Sequence, residues 1–511
     1  MNRAAFPLSR REMLRLSAGV ALLTAAGCRT SGAGIPATTG AAGEFAGPLI
    51  RRMTRCIRLF PAAAGELSGG SELSVGAELE NNRRTVYCPS SGRVTWNAVV
   101  AEPGEHEIYL CCSAPHAGCR VQVRSGPSEV SEELPVTAGF ARPEGKFEYH
   151  NFERIKLRGT IRLDRGINPI SLQIMAGVPG AKVRIRCLEL VPKAAAAELA
   201  DDEERARAQR ANTDWFVHAG YGVKFTWADD TRPLHGALKP YREAVDAFDV
   251  KTFCDVMAET GAGYVIFQVN RTSNHCPAPI KSWEEAWSGQ TTSRDLIGEV
   301  ADGLQRKGIR LFLYMAVPGM GQVGDVGPSG DFRLGLGEEA FVERQRAILT
   351  EIGLRYGEKL AGYWFDGWTV VAEAYPNIPF DTVLGFCRAG HAGRLAAFNS
   401  WIFPIVTPWQ DYWAGEAHSL REPFTERYLE RGCGRGLQAH ALVTVSPQWN
   451  HNGAGPMKPP QFSADELIAY VRANMNHQAV TTINLGAYQE GVINEEHLVM
   501  MRRLRRAVRG A

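Results

Sequence analysis

From residue 213 to residue 511 the chain alternates short apolar runs with longer stretches of helical character. Repeated strand–helix units require parallel strands, because each crossover helix must connect two strands that run in the same direction. The predicted strands are Val217–Phe225, Tyr264–Gln268, Ile309–Tyr314 and Leu360–Phe365, and the predicted helices are near Val250–Thr260, Ser293–Lys307, Glu338–Tyr356 and Asp381–Ala389. The number and length of these units favour a (β/α)8-like TIM barrel, with a doubly wound open sheet as the alternative.

Residues 46–192 show a different pattern, in which apolar and polar residues alternate over short runs. Gly and Pro separate these runs, of which Arg93–Val99 and Gly159–Leu163 are examples. Such alternation is typical of half-buried antiparallel strands, so this region is predicted to form a β-sandwich domain. The Ala-rich and charged stretch 193–212 is predicted to be a linker helix between this domain and the second one, 213–511.

In the sandwich region, Trp96 stands ahead of a Pro103-Gly104 turn, and a later strand runs over Gly166–Leu172. This order of elements resembles jelly-roll carbohydrate-binding modules attached to glycoside hydrolases, and the resemblance implies glycan binding. Trp96 itself is not assigned to a sugar site, because a Trp on a strand is more often part of the core.

The first 28 residues differ from both regions. A pair of arginines within Ser9–Leu14 precedes an apolar stretch, Leu16–Ala26, which ends at Gly27-Cys28. This arrangement resembles a twin-arginine export signal, and its apolar part is too short for a permanent membrane helix. Cys28 is a candidate lipidation site, although its surroundings match a bacterial lipoprotein box only in part. Residues 29–45 are predicted to be a flexible tether, and the protein is predicted to be exported, as a periplasmic protein or a membrane-anchored lipoprotein of a bacterium.

The charge balance argues against nucleic acid as a partner. The chain has 57 basic and 55 acidic residues and a formal net charge of +2, so it has no long-range field that would attract polyanions, and a neutral substrate fits best. Ten cysteines follow Cys28, and their pairing cannot be read from their spacing. The sequence has neither a metal-type His/Cys spacing nor a Gly-rich phosphate loop, so no metal and no cofactor is predicted.

Asp366 is the first candidate functional residue, because it directly follows the apolar run Tyr363–Phe365 and precedes Gly367. Residues just past the strands of a TIM barrel face the shared catalytic mouth. Asp366 is therefore predicted to project into that mouth. The alternative is that Asp366 only caps the next helix or begins a turn, as Asp-Gly often does.

Further stretches agree with a known family. They are Ser293–Val300, Tyr363–Gly367, Thr444–Trp449, and Thr482–Gly486 with Glu490–Ile493. Together, and in this order along the chain, they resemble motifs of the α-L-fucosidases of glycoside hydrolase family 29, over most of residues 213–507. The resemblance implies a retaining mechanism, in which one carboxylate attacks the anomeric carbon and a second acid protonates the leaving oxygen and then activates water.

The resemblance makes Asp366 the nucleophile. Glu416 is the first choice for the acid/base, because it follows Asp411-Tyr412, which is similar to a Gly-Asp-Tyr segment of the family. Glu422 and Glu426 are the alternatives. The acid must keep its proton near neutral pH, which requires an apolar or anionic environment.

The chain departs from the family where two groups of histidines bind the fucose hydroxyls. The family's His-Trp-Gly is replaced by Thr226-Trp227-Ala228, and its His-His-Asp-Gly by a stretch that contains Asn270 and Arg271, with only His275 nearby. Lost hydrogen-bond donors change specificity by orders of magnitude, so L-fucose itself is open to question. Arg271 could bind an anionic substituent such as a sulfate or uronate, or form an internal ion pair. The predicted substrate-binding residues are Thr226, Trp227, Asn270, Arg271, His275, Trp364 and Trp449.

The predicted function is an exported retaining glycoside hydrolase that removes a terminal α-L-fucosyl or related sugar from an oligosaccharide or polysaccharide. The alternative is a catalytically inactive, fucosidase-like protein that binds glycans, because the loss of sugar-binding histidines also fits a retired enzyme. A lipid on Cys28 would add a membrane tether. The oligomeric state cannot be read from the sequence.

Overall fold

In the computed structural model of the chain, the described residues are 56–510, except 62–64, 74–84, 138, 142–147, 177–181, 272, 318–335, 376 and 454. They belong to one compact unit, Pro48–Ala511. The predicted export signal 1–28, with Cys28, and the predicted tether 29–45 lie outside the described residues. Within the described ranges, no helix is both long enough and apolar enough to cross a membrane.

The region ahead of residue 193 consists of antiparallel strands. They are β1 (Ile57–Leu59), β2 (Glu66–Ser68), β3 (Glu72–Leu73), β4 (Val86–Pro89), β5 (Arg93–Val100), β6 (Gly104–Ser113), β7 (Arg120–Ser125), β8 (Ser128–Glu133), β9 (Gly139–Ala141), β10 (Glu148–His150), β11 (Glu153–Leu163), β12 (Gly166–Ala176) and β13 (Lys182–Pro192). One sheet has the order β11-β6-β13-β4-β3 with β1 on β13, a second has the order β2-β5-β12-β7-β8, and β9 pairs with β10. Trp96 of β5 is buried in one hydrophobic cluster with Ile108 of β6, so the two large sheets pack face to face. The jelly-roll likeness stays a prediction.

The region after residue 192 is of the α/β class. Its helices are α1 (Lys193–Ala208), α2 (Asp214–His218), α3 (Tyr241–Asp246), α4 (Val250–Thr260), α5 (Lys281–Ala286), α6 (Leu296–Arg306), α7 (Glu338–Tyr356), α8 (Trp368–Ala374), α9 (Phe380–Cys387), α10 (Ala464–Asn476) and α11 (Glu495–Arg509). Its strands are β14 (Tyr221–Thr226), β15 (Tyr264–Gln268), β16 (Arg310–Ala316), β17 (Leu360–Asp366), β18 (Leu395–Phe398), β19 (His440–Thr444) and β20 (Val480–Gly486). Among the described residues these strands form one sheet of order β18-β17-β16-β15-β14-β20-β19, in which every pairing is parallel.

The start of this region differs from the prediction, which placed one strand over Val217–Phe225. The chain instead forms the short helix α2, turns at Gly220, and then enters β14. Gly220 has φ of +72°, a left-handed conformation that glycine adopts without steric cost. The run predicted as one strand, Val217–Phe225, is therefore divided between two elements, which Gly220 separates.

A segment between Asp411 and Ala417 connects the two edge strands of the parallel sheet. The Asp411 amide donates to Ala396 O at 2.9 Å, on the side of β18. The Ala417 amide donates to Leu442 O of β19 at 2.8 Å, and Glu416 and Leu442 form an isolated parallel bridge. The segment is thus hydrogen-bonded to both edges, while the full eightfold barrel stays a prediction.

The parallel sheet has two different faces. Phe225 and Phe267 belong to a large cluster with the helices, whereas Ile266, Tyr314 and Trp364 belong to a second cluster on the other side of the strands. Successive residues of a strand point to opposite faces, which is why neighbours in sequence separate in this way. We call the face that carries Ile266, Tyr314 and Trp364 the site face.

Candidate active site

Asp366 is the last residue of β17 and is held by three donors. Its Oδ2 accepts a hydrogen bond from the Tyr314 hydroxyl at 2.6 Å. Its Oδ1 accepts from the Gly367 amide at 2.9 Å and from Asn399 Nδ2 at 3.0 Å. The bond from Gly367 is the one that a turn-forming Asp would make. The other two come from β16 and from the residue after β18, so the carboxylate joins three neighbouring chain segments at the carboxyl edge of the sheet.

Glu416 is brought to the same place by the segment between the edge strands. Asn399 Nδ2, which binds Asp366, also donates to Glu416 Oε2. The residue before Glu416 is Gly415, with φ of +60° and a position where an added Cβ would lie 1.9 Å from His440 O. Only glycine fits there, so this close approach of two chain segments places the Glu416 carboxyl next to Asp366.

Burial and charge act together on Glu416. Desolvation first, and then the negative charge of Asp366, raise the pKa of this carboxyl to about 8. The hydrogen bond from Asn399 and the positive charge of Lys224 act in the opposite sense. At neutral pH Glu416 is therefore mostly protonated, which is the state that a general acid needs.

Tyr314 completes the immediate environment of Asp366. Burial, and then the neighbouring Asp366 charge, raise the pKa of its hydroxyl well above the usual range. The hydroxyl therefore stays a donor to Asp366 over the physiological pH range. The ring stacks against Trp364, with 5.3 Å between the ring centroids.

Lys224 is a buried cation on the site face that the sequence analysis did not single out. It is 4% exposed, and its Nζ donates to Thr226 Oγ1 at 2.5 Å and to Asn484 Oδ1 at 3.4 Å. Its pKa is lowered to about 7, and burial is the largest cause. The positive charge of Arg271 lowers it as well, and the charges of Asp366 and Glu416 oppose that effect.

The predicted pair Thr226 and Trp227 divides between the two faces of the sheet. Thr226 lies on the site face, where its hydroxyl bonds Lys224 and Asn484. Trp227 is 2% exposed and belongs to the cluster on the helix face. Its indole N–H donates to Gln489 O at 2.8 Å. The structure brings Thr226 to the site and places Trp227 in the core.

The predicted residues after β15 are mostly engaged with the protein itself. Asn270 donates to Ala316 O at 3.1 Å and accepts from the Ala316 amide at 3.0 Å, so both ends of its amide bind backbone. Arg271 Nη1 lies 3.5 Å from Asp230 Oδ2. The His275 ring stacks on Tyr241 with 4.5 Å between centroids, and burial lowers its pKa. None of the hydrogen bonds among the described residues joins these three side chains to Asp366 or Glu416.

The other two predicted tryptophans belong to the site face, Trp364 within its cluster and Trp449 packed against it. Trp364 is buried on β17, and its indole N–H donates to Ala414 O at 3.2 Å, which joins it to the segment that carries Glu416. Trp449 is partly buried, with its ring centroid 5.6 Å from Lys224 Nζ. Its backbone oxygen accepts from Asn484 Nδ2 at 3.0 Å.

The alternative acids lie elsewhere. Glu422 and Glu426 are both exposed, and within the described residues no hydrogen bond joins either of them to Asp366 or Asn399. Of the three glutamates, Glu416 is the one that shares a donor with Asp366.

Sequence reasoning missed four residues of this site: Lys224, Tyr314, Asn399 and Asn484. Two of them carried a signal. Lys224 interrupts the apolar strand β14, where a charge is expensive to bury. Asn399 directly follows the apolar strand β18, in the same way that Asp366 follows its own run.

One group of side chains could share a metal ion within the described ranges. Cys111, Cys187 and Glu189 are all buried, and their ligand atoms lie within 4.8 Å of one another. They belong to β6 and β13 of the sandwich. Glu189 is already bound by Arg58 at 3.2 Å and Arg154 at 2.7 Å, so its carboxylate charge is compensated.

Comparison with known proteins gave similar solved structures. No family model matches the chain, and no curated protein matches it. An α-L-fucosidase of glycoside hydrolase family 29 from Bacteroides thetaiotaomicron is 16% identical, with 58% of this chain and 73% of that chain covered and a TM-score of 0.40. An α-L-fucosidase from Lactobacillus casei in complex with α-L-fucose product is 16% identical, with 59% and 100% covered and a TM-score of 0.43. An endo-fucoidan hydrolase of glycoside hydrolase family 107 is 13% identical, with 57% and 92% covered and a TM-score of 0.43.

Proposed function

We propose that the chain is a glycoside hydrolase that cleaves a glycosidic bond by a retaining double displacement. The observation that carries this proposal is the single amide nitrogen of Asn399 that donates to both Asp366 and Glu416. Two oxygens that share one donor are separated by at most two hydrogen-bond lengths, roughly 6 Å. Retaining glycosidases hold their carboxyl groups about 5–5.5 Å apart, and inverting ones about 6.5–9.5 Å, so the arrangement favours retention.

In the first step, an Asp366 oxygen attacks the anomeric carbon while Glu416 gives its proton to the leaving oxygen. The glycosidic bond breaks and a glycosyl ester forms on Asp366. The Tyr314 hydroxyl and the Gly367 amide donate to the Asp366 oxygens, which orients the carboxylate. Because its pKa is raised, the Glu416 carboxyl still carries at neutral pH the proton that it donates.

In the second step the roles of Glu416 reverse. Its carboxylate takes a proton from water, and the water oxygen attacks the anomeric carbon and displaces Asp366. The sugar leaves with its original configuration, and both carboxyl groups return to their starting protonation states.

The sugar is proposed to be a terminal α-L-fucosyl or related unit, from the family resemblance of the sequence motifs. The segment 411–417, hydrogen-bonded to both edge strands, supports a (β/α)8-like barrel as the framework. Export and a lipid on Cys28 are further parts of the proposal, which rest on the resemblance of residues 1–28 to a twin-arginine signal. Cell fractionation of the full chain and of Cys28→Ser tests them.

The second candidate is a glycan-binding protein without activity. It is favoured by the engagement of Asn270 with Ala316 and by the burial of Trp227, because both remove predicted sugar contacts. The two candidates differ in whether Asp366 reacts.

The experiment is covalent trapping. Purified protein is incubated with a panel of 2-deoxy-2-fluoro glycosyl fluorides, which include the L-fucosyl compound, and its peptides are analysed by mass spectrometry. We expect a glycosyl adduct on the peptide that contains Asp366, and none in an Asp366→Asn variant with the same melting temperature. Folded wild-type protein that forms no adduct with any sugar of the panel would contradict the hydrolase and support the binding protein.

A further inference from the structure

Gln268 has a buried amide that the rest of the described chain does not satisfy. It is 1% exposed, and neither its Nε2 nor its Oε1 has a hydrogen-bond partner among the described residues. Other buried glutamines of the chain behave differently. Gln410 accepts from the Phe398 amide and donates to Thr407 O, and Gln489 accepts from the Lys239 amide and donates to Lys239 O.

The position of Gln268 places this amide at the candidate active site. Gln268 is the last residue of β15, and its partner on β16 is Tyr314, whose hydroxyl binds Asp366. On the other side, β14 pairs Lys224 with Ile266, so the same register sets Thr226 beside Gln268. Gln268 lies two residues after Ile266 on β15, so its side chain points to the same side of the sheet as that of Ile266, which is the site face. The unpaired amide thus lies between Lys224 and Thr226 on one strand and Tyr314 on the next.

The chemistry of a carboxamide limits what can satisfy it. The Gln side chain offers two N–H donors and one oxygen acceptor. A sugar hydroxyl both donates and accepts, so one hydroxyl or two neighbouring ones can bind both ends of the amide. A sulfate or carboxylate group only accepts, and would leave Gln268 Oε1 buried without a donor. The orphaned amide therefore fits a neutral, hydroxyl-bearing group better than an anionic one.

We propose that Gln268 is a specificity-determining residue that binds a hydroxyl of the glycosyl unit held between Asp366 and Glu416. This proposal rests on the proposed hydrolase function and specifies its substrate as a neutral sugar at that position. It also explains why a polar side chain is kept where the strand neighbours Phe267 and Ile266 are apolar and fully buried. Binding of the sugar supplies the partners that the free protein lacks.

The test compares Gln268→Met with wild type on a matched set of substrates. The set is the nitrophenyl glycoside that wild type hydrolyses best and its monodeoxy analogues, one for each ring hydroxyl. We expect kcat/KM of wild type to fall about 10- to 100-fold for one analogue. For the parent glycoside, kcat/KM of Gln268→Met should be lower than that of wild type by a similar factor. For the same deoxy analogue, kcat/KM of Gln268→Met should be no lower than its own value for the parent glycoside. If the kcat/KM ratio of parent to deoxy analogue is the same for Gln268→Met and wild type at every ring hydroxyl, the proposal is overturned.

Stability provides a second readout. Methionine has a similar shape and no amide, so Gln268→Met removes two unpaired buried atoms, and its melting temperature should equal or exceed that of wild type. Gln438→Met is the matched control, because Gln438 is fully buried and its amide is bonded at both ends. It should melt at a lower temperature and keep the wild-type hydroxyl profile. A lower melting temperature for Gln268→Met and for Gln268→Ala, with an unchanged profile, would mean a purely structural residue and overturn the proposal.

Failure of the hydrolase function can be told apart from failure of this inference. If wild type hydrolyses no glycoside of the panel, binding of the neutral monosaccharides and their deoxy analogues is measured by calorimetry. Weaker binding of one sugar to Gln268→Met, with no loss for its deoxy analogue, keeps the role of Gln268 in a protein that is not a hydrolase. Equal binding by both proteins, or no binding of any neutral sugar, overturns it.

Discussion

The Lys224 ammonium lies 4.5 Å from the centroid of the Tyr314 ring. The hydroxyl of the same ring donates to Asp366 Oδ2 at 2.6 Å. A cation over an aromatic face is attracted by the ring's electrons, so this contact holds the face of the Tyr314 ring while its hydroxyl binds Asp366. A buried cation on β14 is in this way connected to the proposed nucleophile on β17.

Lys224→Met is expected to move the alkaline limb of the kcat/KM profile to higher pH. The ammonium charge favours the ionised form of Glu416 and so lowers the pKa of that carboxyl. Because the pKa of Lys224 is itself lowered to about 7, only the fraction of Lys224 that is still charged near pH 8 acts on Glu416. The limb should therefore move to higher pH by a small amount, less than about half a pH unit. The profile is measured on a nitrophenyl glycoside. Lys281→Met, at an exposed lysine, is the control that leaves the limb in place, and a limb displaced to lower pH in the Lys224 variant contradicts this role.

Glu416→Gln is expected to lower kcat/KM on a substrate with a poor leaving group by about 10²–10⁴-fold. The loss should be much smaller for a dinitrophenyl glycoside, whose leaving group needs no proton. In wild type, activity on the poor leaving group should fall as the pH rises through about 8, because Glu416 then loses the proton that it donates. Glu422→Gln and Glu426→Gln, at exposed positions, serve as controls. Equal losses on both substrates would exclude Glu416 as the acid.

The pattern of single strands predicted much of the framework of the site. The runs that became β15, β16 and β17 were recognisable because a buried parallel strand is apolar on both faces. Asp366 could be found because a carboxylate directly after such a run is uncommon. Asn399 follows β18 in the same manner, but an Asn after a strand is also a frequent turn residue, and the sequence alone does not distinguish the two.

Other features depend on contacts between distant segments. The sequence does not show that Asn270 binds the backbone of Ala316 at both ends of its amide, or that Arg271 faces Asp230, because both partners come from other parts of the chain. The sequence could have shown that Trp227 lies on the helix face of the sheet. Trp227 is one residue beyond Thr226, and period-two alternation sends neighbours to opposite faces.

Trp227→Ala and Trp449→Ala are therefore expected to fail in different ways. Removal of the fully packed Trp227 ring should lower the free energy of unfolding by about 3–5 kcal/mol. Trp449 is only partly buried, so its removal should cost less stability and raise KM instead. Chemical denaturation and steady-state kinetics of both variants make the comparison. A Trp227 variant of wild-type stability with a raised KM would restore that residue to the substrate site.

Gly415→Ala is expected to displace Glu416. The added Cβ would lie 1.9 Å from His440 O, in a backbone conformation with φ of +60°. Gly236 is the matched control, since it has φ of +82° and nothing within 4 Å of an added Cβ. Gly236→Ala should lower the free energy of unfolding by about 1 kcal/mol, and Gly415→Ala by about 3 kcal/mol or more, with loss of activity. Equal effects of the two substitutions would mean that the close approach to His440 is unimportant.

Arg271→Gln separates an internal ion pair from a site for an anionic substituent. Arg271 Nη1 lies 3.5 Å from Asp230 Oδ2, and Asn450 donates to the other oxygen of that carboxylate at 3.1 Å. A partly exposed pair of this kind contributes at most about 1 kcal/mol. The substitution should then lower kcat/KM by less than about tenfold, and by the same factor on a neutral glycoside and on its sulfated counterpart. Asp230→Asn, which breaks the pair from its other side, should reproduce that factor on both substrates. A loss confined to the sulfated substrate in Arg271→Gln would mean that the guanidinium binds the sulfate, and that the neutral hydroxyl assigned to Gln268 is only one part of a charged sugar.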